Sequence, residues 1–291
     1  MYLSVGYELL TGPEHDGPGA ALSALGLSAL ELCLASPATL PALSPDGPPS
    51  FSVAEDAGAR AYRSHLHRFG LRVSALSVGL DVTAETDEAL LRHLVVAIRA
   101  SDILGASVVG ISPIPAADPE GKSPISSPDL VGLLQRACRA TPDSRVALAV
   151  PVAPSAGEVS APCRALAAQA SGRLGLTLDP ARLYEAGLSL ADGSDIVRPV
   201  APFVRRLLCR GLQAAARNGP HTQDVPLRTR CPLAGGDIDY AHILCRLGAV
   251  GYAGAVTLTA PPAADPGSPS ASPWLREDAD FLRELLGKDV R

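Results

Sequence analysis

Short apolar runs alternate with longer amphipathic ones along the whole chain. The runs that read as strands are 3–8, 28–33, 71–77, 106–112, 145–150, 174–179, 203–209 and 254–259, and a helical stretch can follow each of them. The clearest helix is Asp87–Leu104. Leu90, Leu91, Leu94, Val95 and Ile98 recur on one face of a 3.6-residue period. Thr86 stands at the capping position, and Asp87 and Glu88 suit the positive end of the helix dipole. Gly105 then ends it, where a left-handed residue is cheap. Further helices are expected over 53–69, 128–140, 159–171, 238–247 and 275–286.

Strand–helix alternation repeated eight times implies a parallel sheet, because parallel neighbours need a crossover. Eight such units in 291 residues fit one closed α/β barrel better than two open sheets. The expected fold is therefore a single (β/α)8 TIM barrel, one domain over residues 1–291. Stretches 36–52, 113–127 and 261–273 are rich in Pro, Ser and Ala and follow strands, which places them at the C-terminal mouth.

Composition narrows the function classes. Apolar residues make up 47% and charged residues 19%, enough for a sizeable core. Lys plus Arg number 25 against 30 Asp plus Glu, a net charge of -5, so no footprint for nucleic acid or an anionic membrane is expected. Only Lys122 and Lys288 are lysines. The six cysteines form no C-x-x-C pair, which argues against a zinc ribbon or a thioredoxin-like motif. The N-terminus has no basic region with a long apolar run, and no stretch of about 20 apolar residues reads as a membrane span. A soluble, cytoplasmic protein is the expectation.

Several segments carry a resemblance when taken in order. They are Ala-Leu-Gly-Leu-Ser-Ala-Leu-Glu-Leu at 24–32, Leu-Gly-Ala-Ser-Val-Val-Gly-Ile-Ser-Pro at 104–113 and Leu-Gly-Leu-Thr-Leu-Asp-Pro-Ala-Arg-Leu at 174–183. Pro-Leu-Ala-Gly-Gly-Asp-Ile-Asp-Tyr-Ala-His-Ile-Leu at 232–244 and Gly-Tyr-Ala-Gly-Ala-Val-Thr-Leu-Thr at 251–259 complete the set. Together they resemble the xylose-isomerase-like barrel superfamily of sugar-phosphate isomerases and epimerases. The resemblance implies one divalent metal held by Glu, Asp, His and Glu at the ends of strands five to eight. Only the Asp has a counterpart, Asp179. The other positions fall near Pro151, Leu208 and Thr259, and a His often found three residues after the Asp is Arg182. A hard cation needs several converging oxygen or imidazole ligands, so no metal cofactor is expected despite the resemblance.

Alternation along each strand predicts which residues share the face of Asp179. They are Gly175 and Thr177 in strand six, Ala255, Thr257 and Thr259 in strand eight, Ala147, Ala149 and Pro151 in strand five, and Arg206, Leu208 and Arg210 in strand seven. Ser4, Gly6 and Glu8 take that place in strand one. Asp179, Glu31 and Glu8 are the candidate catalytic residues. Arg182, Arg206, Arg210, Thr259 and His15 are the candidate ligand-binding ones. Two readings of Asp179 stand side by side: an anchor for a polyhydroxylated or anionic ligand, since Arg forks match carboxylate and phosphate, or half of an internal salt bridge that fills a vacated metal site. Glu31 in an apolar strand needs a partner, either inside the barrel or in a neighbouring loop. His65 and His67 lie two apart on a helix and so point to different sides. Gly121-Lys122-Ser123 lacks the first glycine of a phosphate loop, since position 116 is Ala116. Gly235-Gly236-Asp237 reads as a turn and cap at the start of a helix.

The functional expectation is a divergent sugar or sugar-phosphate isomerase or epimerase with a degenerate metal site. The alternative is a catalytically inactive barrel that binds a carbohydrate or a partner. A DNA-repair nuclease, which shares the barrel, is the weakest candidate.

Overall fold

The computed structural model describes residues 1–10, 17–35, 38–43, 50–81, 85–114, 128–152, 172–188, 190, 196–214, 228–260 and 273–288. Eight parallel strands close into a barrel: β1 Tyr2–Gly6, β2 Ala29–Leu34, β3 Arg72–Asp81, β4 Val108–Ile114, β5 Ala147–Pro151, β6 Leu174–Leu178, β7 Val204–Cys209 and β8 Ala255–Leu258. Each pairs with its sequence neighbours, and Tyr2–Val5 of β1 aligned with Ala255–Leu258 of β8 completes the ring. The described helices are α1 Pro18–Ala24, α2 Asp56–Arg68, α3 Asp87–Leu104, α4 Pro128–Ala140, α5 Pro180–Glu185, α6 Tyr240–Ala249 and α7 Leu275–Lys288. The expected helix over 159–171 lies outside the described residues.

Local chemistry sets the helix ends. Thr86 Oγ1 accepts a hydrogen bond from the Ala89 N–H at 3.3 Å, and Gly105 closes α3 in the left-handed region at φ 79°. Arg173, just before β6, donates to the carbonyls of Cys138 and Thr141 at 3.2 and 2.7 Å, satisfying oxygens at the C-terminal end of α4. Two short antiparallel ribbons, Thr39–Pro41 with Ser50–Ser52 and Leu212–Ala214 with Arg228–Arg230, lie outside the barrel.

The strands bury two different faces. Outward residues such as Leu30, Leu32, Leu76, Val78, Val109, Leu148, Leu176, Leu207 and Val256 join Leu94, Ile98, Leu134, Ile243 and Leu282 of the helices in one large core. Each fully buried leucine is worth about 1.5–3 kcal/mol relative to exposure. The inward face is small and partly polar. Ala75, Val108 and Ala149 form a separate apolar cluster. Ser4 and Ser74 hydrogen-bond to each other at 2.7 Å, and Thr177 donates to the Ala149 carbonyl at 3.3 Å. Small residues on this face leave room in the barrel for long charged side chains. No described helix is long and apolar enough to cross a membrane.

Candidate functional site

The first polar group is built across the barrel. Glu31 points inward from β2, and Arg206 points inward from β7. Arg206 Nε donates to Glu31 Oε2 at 3.0 Å, Nη2 bonds Oε1, and Nη2 also reaches Ser77 Oγ at 3.4 Å. The sequence permits this reach at one particular place. A Cβ on Gly110 of β4 would stand 2.2 Å from Arg206 Nη1, so the guanidinium needs glycine there. Burial opposes the charge of Arg206. Glu31 more than offsets that cost, with help from Glu8 and Asp179, and the guanidinium's pKa is raised.

The second group sits at the ends of β6 and β7. The expected sixth strand stops one residue short of 179, and Asp179 instead caps α5, accepting from the Arg182 N–H at 3.1 Å. Its Oδ2 lies 3.6 Å from Nη2 of Arg210. The same guanidinium bonds both carboxylate oxygens of Glu185 at 2.9 Å, a fork-on-fork contact. The Tyr240 hydroxyl holds the backbone of residue 210, accepting from its N–H at 3.0 Å and donating to its C=O at 2.9 Å. The side chain of Arg210 makes the ion pair with Asp179, while Arg182 contributes its backbone N–H.

A third group lies at the end of β1. Residues 7–10 form a 3-10 turn, so Glu8 is not in the strand as expected. It folds back over Gly6, where any Cβ would meet its carboxylate. Glu8 Oε1 accepts from Thr259 Oγ1 at 3.0 Å and from the Ala260 N–H at 3.3 Å. Desolvation, then the negative charge of Glu31, raises the Glu8 pKa, and its hydrogen bonds only partly counter this. Cys33, two residues beyond Glu31 on the same face of β2, aligns with Ser77 of β3. Partial desolvation, with Glu8 and Glu31, pushes its thiol up, so it stays protonated near neutral pH.

The candidates Glu8, Glu31, Asp179, Arg206, Arg210 and Thr259 thus all belong to these three groups. His15 lies outside the described residues. His65, half-buried, packs among Phe51, Tyr62 and Phe69, with ring centroids 5.0, 6.1 and 5.3 Å away, an aromatic cluster at the edge of the core. The turn at 235–237 differs from the expectation. Leu233–Gly235 is a 3-10 turn, α6 starts at Tyr240 with Asp239 as its cap, and Asp237 accepts from the Tyr184 hydroxyl and the Ala214 N–H. Sequence reasoning missed Glu185, Tyr240, Ser77 and Cys33. Glu185 had one available signal, an acidic residue six positions after Asp179 at the end of a one-turn helix.

The donor set does not suit the divalent metal that the resemblance implies. Pro151 and Leu208 offer no side-chain ligand, Thr259 bonds Glu8, and the Asp179 carboxylate already faces a guanidinium. Among the described residues no three His, Cys, Asp or Glu side chains converge on one point.

No protein-family model matches the chain. No curated protein matches it either. Solved structures do. A xylose isomerase-like TIM barrel protein from Mycobacterium smegmatis, determined in complex with magnesium, aligns over 100% of this chain and 98% of its own, with TM-score 0.69 and 14% identity. A D-allulose 3-epimerase from Methylomonas sp., in complex with D-allulose, aligns over 98% and 96%, with TM-score 0.64 and 14% identity. The probable 3-DHS dehydratase from Bacillus anthracis aligns over 97% and 99%, with TM-score 0.61 and 12% identity. Barrels with different chemistry therefore share this architecture, and the chain has the fold of the xylose isomerase-like TIM-barrel proteins.

Proposed function

We propose that the mouth of this barrel binds a small polyhydroxylated or anionic molecule, as a divergent relative of the sugar isomerases and epimerases whose metal site has degenerated. The observation that carries the reading is the engagement of Asp179, the one carboxylate at the expected ligand positions, by Arg210. A fixed guanidinium beside carboxylates suits hydroxyl and oxyanion recognition without a divalent ion. Proton transfer at this mouth falls to Glu8. Burial and the negative charge of Glu31 raise its pKa above the usual carboxylate value, which favours the protonated form that can donate. Glu31 is committed to Arg206 and is poorly placed to act as a base.

The alternative, a barrel that binds without catalysis, is favoured by the fact that Glu31 and Asp179 are both ion-paired. Thermal unfolding with D-allulose and a panel of pentose, hexose and sugar-phosphate ligands, each with and without EDTA, tests the proposal. At least one ligand should raise the melting temperature to saturation, equally with and without chelator, because only binding to the folded state stabilises it. No shift with any member of the panel, or a shift abolished by EDTA, would overturn it. Solvent deuterium appearing on carbon in the bound sugar separates the enzyme from the binding protein.

A further inference from the structure

We infer that Arg210 is the resident cation of the mouth, standing against Asp179 in the place where the resemblance implies a divalent ion. Three observations carry this. Asp179 and Glu185 both converge on its guanidinium, at 3.6 and 2.9 Å. Its side chain is only 4% exposed, so the charge is part of the fold. Its Nε is buried without a hydrogen-bond partner among the described residues, although the rest of the fork is engaged. A buried cationic N–H needs an acceptor, and a ligand oxygen would supply one. Tyr240 fixes the backbone from which the side chain projects, so the charge is held rather than swung into place.

The consequence is chemical. A guanidinium brings one charge, planar directionality and no exchangeable ligand sphere, so it can orient a hydroxyl or oxyanion but cannot be chelated away. Removing it leaves two carboxylates facing one point, a pair that can hold a hard divalent cation once waters complete its oxygen shell. This deepens the proposed reading of the mouth, yet its test uses no sugar, so the two can fail separately.

The test is a titration of Mn2+ alone, followed by calorimetry and thermal unfolding, on the full chain and on Arg210→Met. The variant should bind Mn2+ at least about tenfold more tightly than the unaltered chain, a gap of about 1.4 kcal/mol, and Mn2+ should raise its melting temperature. Arg210→Met combined with Asp179→Asn should lose the gain. Arg210→Gln keeps an amide donor for Glu185 and is read in the same titration in case the Met variant folds poorly. Recovery of a poorly folded variant by Mn2+ supports the inference. Equal Mn2+ affinity in variant and unaltered chain, no gain in either single variant, or failure of both to fold with Mn2+ present, overturns it.

Discussion

Glu31 and Arg206 are each 7% exposed, and each would be an uncompensated buried charge without the other. That sets the scale of what a substitution does. Breaking a buried pair by removing one partner costs about 3–5 kcal/mol, whereas exposed pairs are worth about 0–1 kcal/mol. Arg60 and Asp56, 71% and 62% exposed on α2, are such an exposed pair. Glu31→Ala should therefore destabilise the chain by several times as much as Asp56→Ala. Arg206→Met should behave like Glu31→Ala. The double variant Glu31→Ala with Arg206→Met should cost well under the sum of the two single changes, since it strands no charge. Urea unfolding of the four proteins measures this cycle, and additive losses would show that the two side chains are not coupled.

At the level of the strands, β4 and β7 must be shaped for each other. Gly110 lies under the Arg206 guanidinium, and Ala there would place a methyl 2.2 Å from Nη1. Gly110→Ala should destabilise by about 1–3 kcal/mol, as overpacking does. Most of that loss should vanish in an Arg206→Met background, where the crowding atom is gone. A loss of equal size in both backgrounds, read by thermal unfolding, would place the cause elsewhere. The same elements show what the sequence makes legible. The eight strands are readable from their apolar runs, the bounds of α3 because apolar period, cap and terminal glycine agree locally, and those of α4 from its apolar period. The alternation that put Arg206 and Arg210 on the Asp179 face is likewise a local property. The partner choices are not local. Arg206 meets Glu31 across 175 residues of chain, and nothing near either residue announces the other. Glu185 was missed for a related reason: whether Asp179 continues β6 or caps α5 decides where the Arg210 fork can reach. The two short ribbons were missed because their backbone pairing joins segments whose composition reads as loop.

At the scale of the whole molecule, two carboxyl groups among the described residues are shifted toward the protonated form, Glu8 and Asp278. Glu8 is raised by desolvation and by Glu31. Asp278, on α7, which packs against β1 and β8, is raised from 3.8 to about 6, chiefly by burial, although it accepts a 2.7 Å hydrogen bond from the Leu233 N–H. Between these two pH values the folded chain holds a proton that the unfolded chain has lost. The contribution to stability is therefore complete below the unfolded pKa and is lost as pH rises through the folded one. Ion-paired carboxylates usually act in the opposite direction, so Asp278 should flatten or reverse the ordinary gain in stability from pH 4 to 6. Asp278→Asn isolates the effect, because the amide keeps an oxygen for Leu233 and cannot ionise. The variant should be more stable than the unaltered chain above pH 6, and the two should converge toward pH 4. Thermal unfolding from pH 4 to pH 8 reads the difference directly. An advantage that is constant with pH, or that grows as pH falls, would mean that Asp278 is ionised in the fold and that the link between α7 and the turn at Leu233 depends on its charge.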